Sequence, residues 1–278
     1  MTMTMRIVLY CLLGGLSLTL AAAGAGHFGW WWLSGVVLSA AFVPVVRFGP
    51  LRWQGRFAVI LLPLFVVGTL CTQSEVAVFF PGLKGAAGHD LAAGFVMDLI
   101  VALVLALLPR LLKLTDVSGS PPEMWSPWIA GGMVLLSGVA YVIYYLIFGW
   151  ITYAMFTKQY YPEAESIARN LGLRLWLIEL GRGILMTLSV LPVIFTLRMR
   201  RWPAAIAVGV LLWVVGGAAP LLVPNALMLP AQRYIHIVEI LTQNAALGIM
   251  AVLLLRPAQR SSMDWTADGS RATSSLSR

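Results

Sequence analysis

The last hydrophobic segment of the chain carries four polar residues at helical spacing: Gln232, His236, Glu239 and Gln243. Successive members are four, three and four positions apart, so a helix gathers them into one stripe on one face. An imidazole gains and loses a proton near neutral pH, and a carboxylate beside it can exchange protons or bind a cation. The stripe is therefore a candidate proton or cation site.

Hydrocarbon cannot solvate such a stripe, because each unsatisfied polar group in a membrane core is energetically expensive. We therefore expect the stripe to face the protein interior or a wet cavity. There it should meet polar residues of the third, fourth or sixth hydrophobic segment.

The candidate site also includes ionisable residues outside the stripe: Glu75, Asp98, Glu179, Arg182 and Arg233. At about 1.5 Å of rise per residue, Asp98 lies roughly 18 Å above Arg110, just beyond the middle of a membrane, and the others lie nearer one surface. An aspartate side chain is too short to reach water from that depth. Asp98 is therefore expected to pair with Arg182 or to line a wet cavity.

Two alternative roles remain open for these residues. Glu179 and Arg182 are three positions apart and can form an ion pair within one helix, which favours a purely structural cluster. Glu75, Glu179 and Arg233 lie close enough to a membrane surface for an interfacial role. If the cluster lines a cavity, Arg182 and Arg233 are suited to a small anionic or lipid ligand.

No metal ion or other cofactor is expected. His236 and Glu239 can share one ion, but His27 and His89 fall in loop or boundary positions, and no second paired ligand motif accompanies them. The sequence contains no GxSxG, HExxH or Walker motif. Cys11 and Cys71 lie inside apolar runs, without metal-ligand spacing, and are expected to be buried thiols.

These residues belong to a chain that is too apolar for a soluble protein. Of its 278 residues 60% are hydrophobic and 11% are charged, with a mean hydropathy of +0.86. Soluble domains carry about 25% charged residues. We predict a single all-α transmembrane domain over residues 1–256 and a disordered cytoplasmic tail over 257–278, where serine is frequent and apolar residues are few.

Eight apolar runs are long enough to cross a membrane as helices. They are Ile7–Gly26, Trp30–Val46, Phe57–Phe80, Ala92–Leu112, Trp128–Ala154, Leu175–Leu197, Pro203–Val223 and Gln232–Leu255. The first run also has features of a signal peptide, and its cleavage would leave seven spans. The sequence thus predicts a polytopic helical bundle.

Basic residues indicate how the spans are oriented. Arg6, Arg52, Arg110, Arg200 and Arg256 mark five basic groups that fall on one side when eight spans are counted. The positive-inside rule then places both termini in the cytoplasm. The bundle is expected to lie in a plasma membrane. The connections near Lys84, Lys158 and Ala226 are predicted to lie outside. Because the basic residues are spread between apolar runs, they do not indicate nucleic-acid binding.

One predicted outer connection has the pattern of a short helix. Pro162 can open it, Glu165 and Arg169 are spaced as an i,i+4 pair, and Gly172 suits its C-terminal cap. Tyr161 in this connection is expected to be an interfacial aromatic. A plain connector and a lid over a pocket are both consistent with the pattern.

Three functional classes remain open from the sequence. The first is a small transporter or ligand-binding carrier, proton-linked through Asp98, His236 and Glu239, although no span is clearly broken. The second is an accessory or sensor subunit of a membrane complex, in which the cluster is structural. The third is a membrane enzyme acting on a lipid or isoprenoid, with His236 as base. The bilayer is the expected partner, and no protein partner can be named.

Overall fold

Long helices make up the molecule. The computed structural model describes residues 1–79, 87–116 and 118–257, and no strand occurs within these ranges. Eight of the helices are long and apolar enough to cross a membrane, which confirms the predicted all-α bundle of eight spans. Lys84 and the predicted tail beyond Pro257 lie outside the described residues.

The spans follow one another with short connections. In chain order they are Met3–Ala21, Phe28–Phe48, Trp53–Phe79, Gly88–Leu111, Pro127–Thr157, Leu173–Thr196, Arg201–Leu222 and Pro230–Leu255. Pro127 and Pro230 stand in the first turn of their helices, where a missing amide proton is tolerated. A connector helix, Ala164–Leu171, lies between the fifth and sixth spans.

Glycines allow two pairs of spans to approach closely. A Cβ atom added at Gly35 of the second span would lie 2.8 Å from the Cα atom of Gly15 in the first span. A Cβ atom at Gly248 of the eighth span would lie 2.7 Å from the Cα atom of Gly209 in the seventh. Small residues at helix contacts are the usual means of close packing in membranes, so these glycines position the spans.

Within the part of the chain that the structure describes, four spans contain a π-helical segment, so these spans are not regular α-helices over their whole length. The segments are Leu64–Cys71, Tyr153–Thr157, Val214–Ala218 and Leu241–Ala245, in the third, fifth, seventh and eighth spans. Three of them meet at Gly216, where a Cβ atom would lie 2.5 Å from Asn244 Nδ2 and 2.9 Å from Val67. A π-helical turn often marks a functional region, and here the segments of the third and eighth spans contain Thr69 and Gln243, which are described below.

The bundle has two chemically different ends. We call one the arginine end; it carries the connections 49–52, 112–126 and 197–200. Here Arg6 donates to the carbonyl oxygen of Lys113 at 3.1 Å, and Arg256 donates to the carbonyls of Leu197 and Met199 at 2.8 and 3.1 Å. Residues that serve as topology signals in the sequence thus also satisfy carbonyls near the ends of spans. The opposite end, with the connections 22–27, 158–172 and 223–229, is the cluster end.

Candidate functional site

Three ionisable residues from two spans form an ion-pair group that we call the Arg182 cluster. Arg182 Nη1 donates to both carboxylate oxygens of Glu179, at 3.0 and 2.8 Å, and Nη2 donates to Glu75 Oε2 at 2.9 Å. The side chain of Glu179 is 3% exposed and that of Glu75 is 39% exposed. The predicted pairing of Glu179 with Arg182 is formed, and Glu75 connects it to the surface of the bundle.

Two tyrosines of the fifth span flank the Arg182 guanidinium. Its Cζ atom lies 6.0 and 5.9 Å from the ring centroids of Tyr141 and Tyr145. Gly183 makes room for the first ring, because a Cβ atom at Gly183 would lie 2.7 Å from Tyr141 Cβ. The aromatic faces therefore add a favourable electrostatic contact to a guanidinium already held by two carboxylates.

A second group, the His236 cluster, consists of Tyr161, His236, Glu239 and Gln243. His236 Nδ1 lies 2.8 Å from Glu239 Oε2, and Gln243 Nε2 donates to Glu239 Oε1 at 3.1 Å. On the other side of the imidazole, Nε2 lies 3.3 Å from the hydroxyl of Tyr161. Both nitrogens of the imidazole and both oxygens of the carboxylate are therefore engaged.

The stripe meets a different neighbour from the one that the sequence predicts. Its side chains face the fifth span and the connection after it, instead of the third, fourth or sixth span. A Cβ atom at Gly149 of the fifth span would lie 3.5 Å from Glu239 Oε1 and 3.6 Å from Gln243 Nε2. Gly149 thus leaves room for these two polar side chains against the neighbouring helix.

Gln232 does not belong to the His236 cluster. Its side-chain oxygen accepts a hydrogen bond from the backbone N–H of Leu229 at 2.6 Å, at the start of the eighth span. A glutamine at the third helical position commonly bonds back in this way. The hydrogen-bonded part of the stripe therefore begins at His236, and Gln232 stabilises the start of the eighth span.

Tyr161 contacts His236, and the sequence predicts it only as an interfacial aromatic. Burial raises the pKa of its phenol above the usual value, and the nearby carboxylates of Glu239 and Glu75 raise this pKa further. Glu239 belongs to the His236 cluster and Glu75 to the Arg182 cluster. Both clusters therefore act on the same hydroxyl, which stands in the connection at residue 161. No local sequence pattern identifies such a residue, because its role depends on how the connection folds back.

Asp98 stands apart from both clusters, and its predicted pairing with Arg182 is wrong. Its Oδ2 atom accepts a hydrogen bond from the Thr69 hydroxyl at 2.6 Å, and the residue is 8% exposed. Thr69 lies in the π-helical segment of the third span. Gly94 provides the space, since a Cβ atom there would lie 2.7 Å from Thr69 Cγ2. Arg182 is occupied by the two glutamates instead.

Arg233 closes the end of a neighbouring span. Its Nη1 atom donates to the carbonyl oxygens of Leu221 and Leu222, each at 3.2 Å, and the residue is buried. These carbonyls belong to the last turn of the seventh span, where helix geometry leaves them without partners. The structure thus gives Arg233 a capping contact, and no hydrogen bond joins it to either cluster within the described residues.

The connector helix forms as predicted, with one changed contact. It ends at Leu171 and is capped by Gly172, whose φ of 50° suits glycine, but it begins at Ala164 instead of Pro162. Glu165 pairs with Lys158 at 3.1 Å instead of with Arg169. This contact lowers the pKa of Glu165 and raises that of Lys158. Since both side chains are exposed, the pair fixes the connection only weakly.

The described residues contain no group of three His, Cys, Asp or Glu side chains placed to hold a metal ion. Two grooves of about 510 and 500 Å³ lie at the arginine end, and neither is lined by a residue of the two clusters. The two clusters consist of ion pairs and hydrogen-bonded polar side chains. Comparisons with protein-family models, with curated proteins and with solved structures found no match to this chain.

Proposed function

We propose that this multi-pass membrane protein is a small proton-linked carrier in which His236 and Glu239 form the proton site. The observation that carries the proposal is the contact of His236 with Glu239 on one side and with Tyr161 on the other. An imidazole held in this way joins a membrane span to a connection outside it. A proton gained or lost there changes the contact between the two.

The hydrogen-bond roles of these groups explain the coupling. A neutral imidazole that donates from Nδ1 to Glu239 accepts at Nε2 from the Tyr161 hydroxyl. A protonated imidazole donates from both nitrogens, so the Tyr161 oxygen must become the acceptor. Each proton transfer therefore requires the hydroxyl of Tyr161 to turn. This reorientation is the step that we assign to opening and closing of the connection.

The charges of the two clusters favour a proton or a cation as the species bound. Three carboxylates, those of Glu75, Glu179 and Glu239, stand with one permanent cation, Arg182. The sequence suggested a small anionic or lipid ligand held by Arg182 and Arg233. Because both guanidiniums already bond within the protein, a ligand that carries positive charge fits the site better.

Proteoliposomes that contain a pH-sensitive dye test this proposal. Gradients of Na⁺, K⁺ or methylammonium ions are applied in turn, and proton movement is followed with wild-type protein, with His236→Gln and with Glu239→Gln. Glu163→Gln is the matched control, since Glu163 is exposed in the connection. At least one gradient should move protons with wild type and the control, and the two cluster variants should lower the rate at least tenfold. Proton movement that is absent with wild type, or unchanged in both cluster variants, contradicts the carrier.

A second candidate, an accessory or sensor subunit, is favoured by the closed pairing of the Arg182 cluster. Its guanidinium bonds to two carboxylates, and Glu179 is almost fully buried. Ion pairs of this kind can be purely structural and hold the third and sixth spans together. In that case His236→Gln leaves proton movement unaffected, and Arg182→Gln lowers stability alone. An enzyme acting on a lipid receives less support, because neither Arg182 nor Arg233 is free to hold a phosphate.

A further inference from the structure

A basic groove of about 500 Å³ opens at the arginine end, between the start of the third span and the end of the fourth. Its polar wall is formed by Arg52, Trp53, Gln54, Arg56, Arg110 and Thr115. None of the described residues that line the groove is acidic. The groove therefore concentrates three positive charges, and its described lining contains no carboxylate.

Arg56 is the fixed member of this group. It is 4% exposed, and its guanidinium donates to the carbonyl oxygens of Ala106 and Leu51 and to the Thr115 hydroxyl, at 3.2, 3.1 and 2.9 Å. Its Nε atom is buried without a hydrogen-bond partner among the described residues. Arg52 and Arg110 are exposed at the mouth of the groove. Three guanidiniums in one groove repel one another unless an anion lies between them.

The start of the third span adds to the positive potential. The helix begins at Trp53, and the preceding Arg52 supplies no side-chain oxygen to cap it. The first turn also contains no acidic residue. Free backbone N–H groups and the positive end of the helix dipole therefore face the same region as the arginines.

An apolar stripe continues from the groove along the fourth span. Leu103, Leu107 and Leu111 are exposed and recur every four residues, which places them on the same helix face as Arg110. Trp53, beside the groove, is also partly exposed, as is typical of a tryptophan at a membrane interface. A phosphate in the groove would therefore have room for acyl chains directly beside it.

We propose that this groove binds the phosphate headgroup of an anionic phospholipid, whose acyl chains lie on the leucine stripe. Basic pockets between spans are known to hold anionic headgroups in this way. The leucine stripe favours a lipid over a free phosphate ester, which would leave it uncovered. This site is independent of the two clusters and of the proposed carrier function, because it shares no residue with them.

Native mass spectrometry of the detergent-solubilised protein tests the proposal. The protein is titrated with phosphatidylglycerol and with phosphatidylcholine of the same acyl chains. Phosphatidylglycerol should bind at least fivefold more tightly, and Arg110→Gln should weaken its binding about fivefold. Arg200→Gln is the matched control, since it removes one exposed charge at the same end and lies outside the groove. It should bind the lipid like wild type.

Three results would overturn the proposal. One is equal binding of the two lipids, and another is an equal loss of binding in Arg110→Gln and Arg200→Gln. The third is displacement of phosphatidylglycerol by glycerol 3-phosphate at concentrations equal to those of the lipid, which would assign the groove to a free phosphate ester. If Arg110→Gln does not fold, Arg52→Gln provides the same test, because Arg52 is exposed at the same mouth.

Discussion

The hydroxyl of Tyr161 lies 3.3 Å from Nε2 of His236, and this contact joins the connection after the fifth span to the eighth span. The two rings are tilted, with centroids 5.8 Å apart, so the contact is made at the ring edges. Glu239 holds the opposite nitrogen of the imidazole at 2.8 Å. The imidazole therefore stands between a group that can move with the connection and a group fixed on its own helix.

We expect Tyr161→Phe to weaken the attachment of the connection to the bundle. The substitution removes one hydrogen bond, which is worth about 1 kcal/mol, and keeps the ring. Hydrogen exchange of the backbone amides in residues 158–172 should become several-fold faster than in wild type. Tyr160→Phe is the control, because Tyr160 is the adjacent tyrosine and is also partly buried. Equal exchange in both variants would show that the Tyr161 hydroxyl does not hold the connection.

The same residue should give the protein an alkaline pH dependence. Because burial and two carboxylates raise the pKa of Tyr161 in the folded state, the folded protein retains this proton at a pH where the unfolded chain loses it. The retained proton of Tyr161 contributes fully to the stability of the folded protein below the unfolded pKa of about 10. This contribution is lost as the pH rises above that value. The melting temperature in detergent should therefore fall more steeply for wild type than for Tyr161→Phe when the pH is raised from about 8 to about 11. Parallel curves for the two proteins would contradict the assignment.

Breaking the Arg182 cluster should have unequal effects on stability. Arg182→Gln leaves Glu179 as a buried carboxylate without its cation, and loss of such a partner costs about 3 to 5 kcal/mol. Glu75→Gln should cost less than about 1 kcal/mol, because Glu75 is partly exposed. Unfolding in mixed micelles measures both values, with Glu163→Gln as the exposed control. Similar small losses for all three variants would mean that the cluster contributes nothing to stability.

Asp98 and Thr69 should be energetically coupled across the third and fourth spans. Their hydrogen bond is 2.6 Å long and buried. Removal of one side chain therefore leaves the remaining one buried without a hydrogen-bond partner. A double-mutant cycle with Thr69→Val and Asp98→Ala should give a coupling energy of about 1 kcal/mol. The pair Thr69→Val and Arg182→Gln should be nearly additive, since Arg182 bonds elsewhere. Coupling to Arg182 in place of Thr69 would restore the pairing suggested by the sequence.

Cysteine labelling should reveal the orientation of the spans. The alternation of basic residues predicts that Lys158→Cys reacts with an impermeant reagent in intact cells and that Arg200→Cys reacts only after lysis. The two native cysteines, Cys11 and Cys71, are buried and should add little background. The reverse pattern of labelling would invert the predicted topology.

Local spacing was sufficient to predict the elements and two of the contacts. The apolar runs gave the eight spans because a membrane helix requires a long uninterrupted run of apolar residues. The intrahelical contacts of Glu179 with Arg182 and of His236 with Glu239 follow from i,i+3 spacing alone. Such spacing fixes which residues share a helix face before any neighbour is known.

Contacts between spans could not be predicted in this way. Asp98 meets Thr69 and not Arg182 because helix registration places Thr69 at the same level, in a segment whose π-helical turn shifts the face. Tyr161 reaches His236 only because the connection folds back over the end of the bundle. The spacing of residues predicts neither the π-helical segments nor the position of this connection.

The proposed carrier function depends on whether His236 gains and loses a proton in the folded protein. The chain has 3 histidines, so the imidazole nitrogens of His236 can be resolved by ¹⁵N NMR of labelled protein in nanodiscs and assigned with His236→Gln. We predict that these signals change over one pH range, because the imidazole gains and loses a proton there. The Tyr161 ring signals should change over the same range, and Glu239→Gln should shift that range. A His236 imidazole that keeps one protonation state at every pH tested would contradict the proton site.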